Sequence, residues 1–334
     1  MKPLAPALLL TILFVLNGCT AMPSTSSPKN LTMPQTLYDA RIVEPESGAA
    51  LTPEQLARRL AETDVVIVGE YHGHQGSHLL QSRLQTALHR QQPRQILSME
   101  QFNLDHQPEL DRYLKGETGE TEMIEDAAAW DNYRASYRPL VEFARQKNLP
   151  VIAANAPADV VRCVGRKGPS YLDKVPESIR QAMPSEPFMD TPAYREKFAD
   201  AIGASHRDES TMNDRMENTY KAQLLRDNTM AARVLESIGR YPGHQVLHLT
   251  GTFHSEDGLG TVALLKQRAP KLSVAVISPA FWPATDTRPP LDQNQSKGDF
   301  LYFIQPLPDE FKDSGREREA MKARFQRSTS KTCD

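Results

Sequence analysis

The sequence has little cysteine, no excess of charge and no long apolar run. It holds three cysteines in 334 residues, and no two of them are close together. That excludes a disulfide-rich scaffold and a thiolate zinc cluster. Lys and Arg total 39 against 42 Asp and Glu, a net charge of −3, and the basic residues form no block. Nothing therefore offers the phosphate-neutralising surface that sequence-independent nucleic-acid binding needs. No serine sits in a Gly-x-Ser-x-Gly elbow, so Ser98 and Ser255 are not favoured as nucleophiles. With 24% charged and 39% hydrophobic residues, the chain is composed like a folded protein rather than a disordered or collagenous one.

What is present begins at the N-terminus. Met1-Lys2 precede an apolar run from Leu8 to Leu16, followed by Asn17-Gly18-Cys19. The run is too short to span ~30 Å of hydrocarbon as a helix and reads as an export signal. Leu16, Gly18 and Cys19 at −3, −1 and +1 resemble the bacterial lipobox, in which the cysteine is diacylated and becomes the mature N-terminus. Asn17 departs from the usual small residue, and Thr20 is not the Asp of the usual inner-membrane retention signal. The expectation is a signal peptide over 1–18, a tether over 19–36 rich in Ser, Thr, Pro and Asn, and lipidation at Cys19 that holds the protein to the membrane. Cys163 and Cys333 remain, and a bridge between them is possible in an exporting compartment.

The folded part alternates strands and helices. Thr52-Pro53-Glu54-Gln55 has the spacing of a capped helix start. Residues 64–69 are a β-branched run of the kind buried on both faces of a parallel sheet. Strands are also predicted over 95–99, 150–154, 245–250, 272–277 and 300–304, with helices over 76–91, 107–115, 133–147 and 259–268. The fold class is therefore α/β, a mostly parallel sheet flanked by helices. Residues 158–240 break the alternation and read as a smaller inserted helical domain, with helices over 192–202 and 210–238. Residues 37–157 and 241–307 form the α/β domain, and 308–334 a polar tail or frayed helix.

Polar residues cluster at the predicted carboxyl ends of the strands, where an open parallel sheet binds ligands. These are Gly69-Glu70-Tyr71-His72, Ser98-Met99-Glu100-Gln101, Ala154-Asn155 and Gly251-Thr252-Phe253-His254. His72, Glu100, His254 and Glu70 make an N/O set for a divalent metal ion or a haem-associated polar cluster. His74 and His78 stand near a helix start and read as solvated, while His248 reads as a hydrogen-bonded core residue. Met212, Met216 and Met230 recur at helical spacing and read as core.

Gly69-Glu70-x-His72, Glu100 and Gly251-x-x-His254, in that order on a βα pattern, resemble the ChaN-like haem-binding lipoproteins. These belong to a superfamily with Tiki proteases and erythromycin esterases. The stretch from Ala222 to Ala231 and the closing Asp299-Phe300-Leu301-Tyr302-Phe303 add to the resemblance, which covers about residues 37–307. The resemblance implies haem as ligand, a role in haem and iron acquisition at the outer membrane, dimerisation around haem, and an outer-membrane haem receptor as partner. It also implies a tyrosine as iron ligand, for which Tyr194, Tyr220 and Tyr71 are the candidates. The alternative from the same superfamily is a metal-dependent hydrolase. There His72, Glu100 and His254 would hold the metal, Glu70 would be the general base, and Arg226 would hold a carboxylate or oxyanion.

Overall fold

A computed structural model describes residues 31–202, 214–329 and 332–333. Cys19, the expected signal and most of the tether lie outside the described residues, as does Met212. Two short strands come first, β1 (Arg41–Val43) and β2 (Ala50–Leu51), neither predicted by the pattern. Thr52 then caps α1 (Pro53–Arg59): its hydroxyl accepts from the Gln55 N–H, and the Gln55 side chain accepts from the Thr52 N–H. Next come β3 (Val65–Glu70), α2 (Gln75–Gln91), β4 (Gln95–Asn103), α3 (Gln107–Leu114) and α4 (Glu120–Asp126). The helix predicted over 133–147 is two, α5 (Tyr133–Ser136) and α6 (Arg138–Lys147), with Pro139 in the first turn of the second. After β5 (Val151–Asn155), the chain forms α7 (Ala158–Lys167), α8 (Glu177–Ala182), α9 (Pro192–Ala201) and the 27-residue α10 (Asp214–Arg240). The fold closes with β6 (Gln245–Gly251), α11 (Thr261–Arg268), β7 (Val274–Phe281), β8 (Phe300–Ile304) and α12 (Ser314–Thr329).

The eight strands form one sheet in the order β2-β1-β8-β7-β3-β6-β4-β5. From β8 to β5 every pairing is parallel, and β1 and β2 add an antiparallel margin. The β-branched run of β3 explains its central place. Val66 and Val68 pack with Leu80, Leu84 and Leu88 of α2 and Leu140 of α6 on one face. Val65 and Ile67 pack with Val234 of α10 and Leu265 of α11 on the other. Each such fully buried aliphatic side chain contributes about 1.5–3 kcal/mol relative to exposure. α7 lays Val160, Val161 and Val164 against Ala222 and Leu225 of α10. No helix among the described residues is long and apolar enough to cross a membrane.

Cys163 on α7 and Cys333 are joined by a disulfide, with 5.5 Å between their Cα atoms. The bond ties the last described residues to the helical stretch between β5 and β6. His74 and His78 are buried rather than solvated. The His74 ring caps α2 by accepting from the Gly76 N–H at 3.1 Å, and its other nitrogen lies 2.8 Å from the Gln305 carbonyl. His78 lies 3.1 Å from the Gln81 side-chain oxygen. A helix start needs its free N–H groups satisfied, and here a buried ring does it.

Candidate functional site

The carboxyl ends of β3, β6 and β4 lie side by side, because β6 pairs with both neighbours. β6 ends at Gly251, paired opposite Glu70. A Cβ on Gly251 would stand 2.9 Å from His72 Nε2, so the missing side chain makes room for the imidazole. β4 departs from regular pairing at this edge. Met99 pairs with Ala153 but Asn103 with Asn155, so four steps on β4 match two on β5. This bulge holds Glu100 and Gln101, and both side chains reach the site although successive strand residues ordinarily face apart.

Two carboxylate–imidazole pairs result. In the first, Glu70 is buried and accepts from Tyr137 OH at 2.6 Å, Gln81 Nε2 at 2.6 Å and Gln101 Nε2 at 3.2 Å. His72 Nδ1 lies 2.7 Å from the same carboxylate, while the His72 side chain is 43% exposed. With so many donors around it, Glu70 is placed to orient His72 rather than to take a proton from water. It leaves His72 Nε2 without a hydrogen-bond partner among the described residues. In the second pair, His254 Nδ1 lies 2.9 Å from Asp227 Oδ1. Asp227 also accepts from Thr261 Oγ1 at 2.9 Å and from Tyr194 OH at 2.5 Å. Gly260 gives Asp227 this space: its φ is +57°, and a Cβ there would meet Asp227 Oδ1 at 2.8 Å.

Glu100 stands between the pairs. Its Oε2 accepts from the Thr250 hydroxyl at 2.8 Å and the Gly251 N–H at 2.7 Å, and its Oε1 lies 3.5 Å from His254 Nε2. Burial alone would raise its pKa, but His254, His72 and these two donors lower it to about 2. Burial works against the His72 imidazolium, yet the Glu70 hydrogen bond and the Glu100 charge raise its pKa above the ordinary value. His254 behaves alike, with Asp227 and Glu100 outweighing burial.

The signs set a pH dependence. A depressed Glu100 gives stability that is complete above its ordinary pKa of 4.5 and is lost as pH falls toward about 2. The raised histidines give stability that is complete below their ordinary 6.5 and is lost as pH rises through their folded values. The site is therefore at its most stabilising between those two ordinary values. Glu100→Gln is expected to flatten the acid limb of the stability profile by up to about 3 kcal/mol, read by urea unfolding between pH 5 and 2.5. An unchanged acid limb would show that Glu100 is not held ionised in the folded protein.

The three tyrosine candidates lie in different settings. Tyr194 is buried and gives its hydroxyl to Asp227; Tyr220 is buried and gives its hydroxyl to Asp190 under the Arg195 guanidinium. Burial and the adjacent carboxylates hold both phenols protonated. Tyr71 is half-buried, stacked on Phe281 at 4.4 Å and 12°, and its hydroxyl has no hydrogen-bond partner among the described residues. Burial and Glu256 push its pKa up to about 12. Trp130 meets His72 edge-on at 4.9 Å, so a flat aromatic group stands against the imidazole. His248 lies in the core, 3.0 Å from Ser98 Oγ, and burial lowers its pKa to about 4. Among the described residues no group of three or more His, Cys, Asp and Glu is arranged to hold a metal ion. Arg226 is half-buried on α10 beside this site, where burial lowers its pKa against the charges of Glu100 and Asp227.

Sequence reasoning missed Asp227, Tyr137 and Gln81, and placed Gln101 at a strand end without giving it a role. Asp227 carried a signal: an acid among Leu224, Leu225, Met230 and Ala231, in the apolar stripe of a helix, needs buried partners. Tyr137 and Gln81 had none, since a tyrosine or glutamine in a helical stretch looks like any packing or polar residue.

Three comparisons bear on this geometry. A solved structure described as cofacial heme binding to ChaN of Campylobacter jejuni is similar at a TM-score of 0.58 and 16% identity, over 80% of this chain and 98% of that one. It shows the shared fold. An erythromycin esterase mutant in its open conformation is similar at a TM-score of 0.43 and 13% identity, over 84% of this chain and 86% of that one, too distant to carry an argument. Protein RETICULATA-RELATED 5, chloroplastic, of Arabidopsis thaliana is 26% identical over 196 residues, 54% of this chain. The chain spans only 25% of that relative's length. A family model described as haem-binding uptake, Tiki superfamily, ChaN matches residues 56–265, a span that contains both carboxylate–imidazole pairs and Glu100. The chain belongs to this ChaN family of haem-binding uptake proteins in the Tiki superfamily.

Proposed function

We propose that the protein is a lipid-anchored haem-binding protein of the bacterial envelope, held at the outer membrane and serving haem and iron acquisition. Family membership gives it a haem-related role. The disulfide supports the compartment, because such bonds form and persist outside the reducing cytosol. The Cys19 motif supports the anchor. A second copy of the chain around haem and an outer-membrane haem receptor are the proposed partners.

The observation that carries the ligand is the pair of uncommitted donors among aromatic groups: His72 Nε2 beside Trp130, and the Tyr71 hydroxyl on Phe281. Haem, when bound, supplies a ferric ion that takes imidazole nitrogen or tyrosinate oxygen. His72 is held by Glu70 in the tautomer that keeps Nε2 free for a ligand. Tyr71 needs a cation to displace its phenolic proton. Hemin titration of the mature protein is expected to give a saturable Soret change. His72→Ala and Tyr71→Phe are expected to shift that spectrum or weaken binding at least about tenfold, while Tyr220→Phe leaves it unchanged. The absence of any saturable change sinks the haem reading.

One observation favours a second reading. The His254 imidazole, oriented by Asp227 at 2.9 Å, has the makings of a general base for hydrolysis. The donors form two pairs rather than one three-ligand seat, so a divalent metal is poorly served by them. Ester or peptide hydrolysis abolished in His254→Ala would favour this reading.

A further inference from the structure

Arg226 is the exception among the arginines around the site. Arg195 is paired with Asp190 and Glu217; Arg233 with Glu236, Gln107 and the Ala153 carbonyl; Arg268 with Asn228 and the Glu186 carbonyl. Arg226 has no hydrogen-bond or ion-pair partner among the described residues. Yet it lies on the face of α10 turned to the site. Three residues before it, the Gln223 amide nitrogen lies 3.3 Å from both ring nitrogens of His254. Four residues after it, Met230 Sδ lies 3.7 Å from the Thr250 hydroxyl oxygen. Residues three and four apart share a helix face, so Arg226 sits between two groups that touch the site.

The nearby acids do not answer it. Glu100 spends its oxygens on Thr250, Gly251 and His254; Asp227 spends its own on His254, Thr261 and Tyr194. Nor is the guanidinium sealed in: Arg162 Nε is a buried nitrogen without a partner, and no Arg226 nitrogen is. Its donor fork therefore keeps some access to solvent, near Glu100 and His254. A half-buried guanidinium without an acceptor is unfavourable, and a ligand that brings the acceptor removes the penalty.

We infer that Arg226 receives a ligand carboxylate, gripped by its planar donor fork beside His254. A carboxylate matches that fork with two parallel charged hydrogen bonds. The source rests on the haem reading: haem carries two propionates, and one of them occupies Arg226. A free organic acid is the other source of the same chemistry.

The test compares hemin, hemin dimethyl ester and succinate on the wild type and Arg226→Gln. Hemin affinity is expected to fall roughly 10- to 100-fold in Arg226→Gln, while the ester, which has no free carboxylate, binds both proteins equally. Arg226→Lys, which keeps the charge but not the fork, should fall between. If neither porphyrin binds the wild type but succinate does, and Arg226→Gln abolishes it, the haem reading fails and the carboxylate receptor stands. The inference is overturned if Arg226→Gln weakens hemin and its ester alike, leaves hemin unchanged, or if the wild type takes neither hemin in preference to its ester nor succinate. Thermal melts of both variants separate a lost ligand from a lost fold.

Discussion

Asp227→Ala is expected to cost about 3–5 kcal/mol of stability, because it leaves buried partners without their charge and acceptor. Asp227 is fully buried and takes hydrogen bonds from His254, Thr261 and Tyr194. The phenol and the threonine hydroxyl would lose their acceptor where no water replaces it, and His254 would lose the largest of the interactions that favour its charged form. In a chain of this size such a loss lowers Tm by roughly 10 °C. Tyr194→Phe is the control. It removes a donor from a carboxylate that keeps two others, so about 1 kcal/mol is expected. A melt of Asp227→Ala within two or three degrees of wild type would mean that this network is not what holds α10 to the turn after β6.

Breaking the disulfide is the second large effect. Cys163 and Cys333 are 170 residues apart, so in the chain-entropy account the bond restrains the unfolded chain by up to about 5 kcal/mol. Cys333→Ser, or wild type in dithiothreitol, should therefore melt roughly 10 °C lower. The variant itself should not respond to dithiothreitol. The site should survive, because α7 holds to α10 by Val160, Val161, Val164, Ala222 and Leu225, while the sulfur bond ties α7 only to the C-terminal segment at Cys333. Hemin titration of Cys333→Ser is accordingly expected to match the wild type. A reductant-insensitive wild-type melt would show that the bond is absent from the folded protein.

Much of the architecture was legible because a parallel sheet writes itself as β-branched runs. Val65–Val68 and Val246–Leu249 are buried on both faces and carry no alternation to confuse the reading. The short antiparallel margin was not legible: Arg41–Val43 and Ala50–Leu51 are too brief to carry a period, and they pair with each other and, through β1, with β8. Pro139 divided a helix whose apolar spacing reads as continuous. At the site, Glu70, His72, Glu100 and His254 were legible from strand ends alone, since topology brings those ends together. Their partners were not. That Glu70 faces Tyr137, Gln81 and Gln101 depends on helix packing and on a bulge, neither of which leaves a local mark. The disulfide stayed open for the same reason, as sequence separation says nothing about whether two thiols meet.

The bulge in β4 has one more effect. Up to Met99 the strand answers to its neighbours on both sides; the three residues that follow, Glu100 and Gln101 among them, are outside that register. Their identity is thus free of the demands that sheet pairing places on the rest of the strand. A lineage carrying this scaffold can alter the acid at position 100 or the amide at 101 and acquire a different chemistry while the ladder and the aliphatic layers stay as they were. The irregular end of one strand is where this architecture keeps its capacity to diverge.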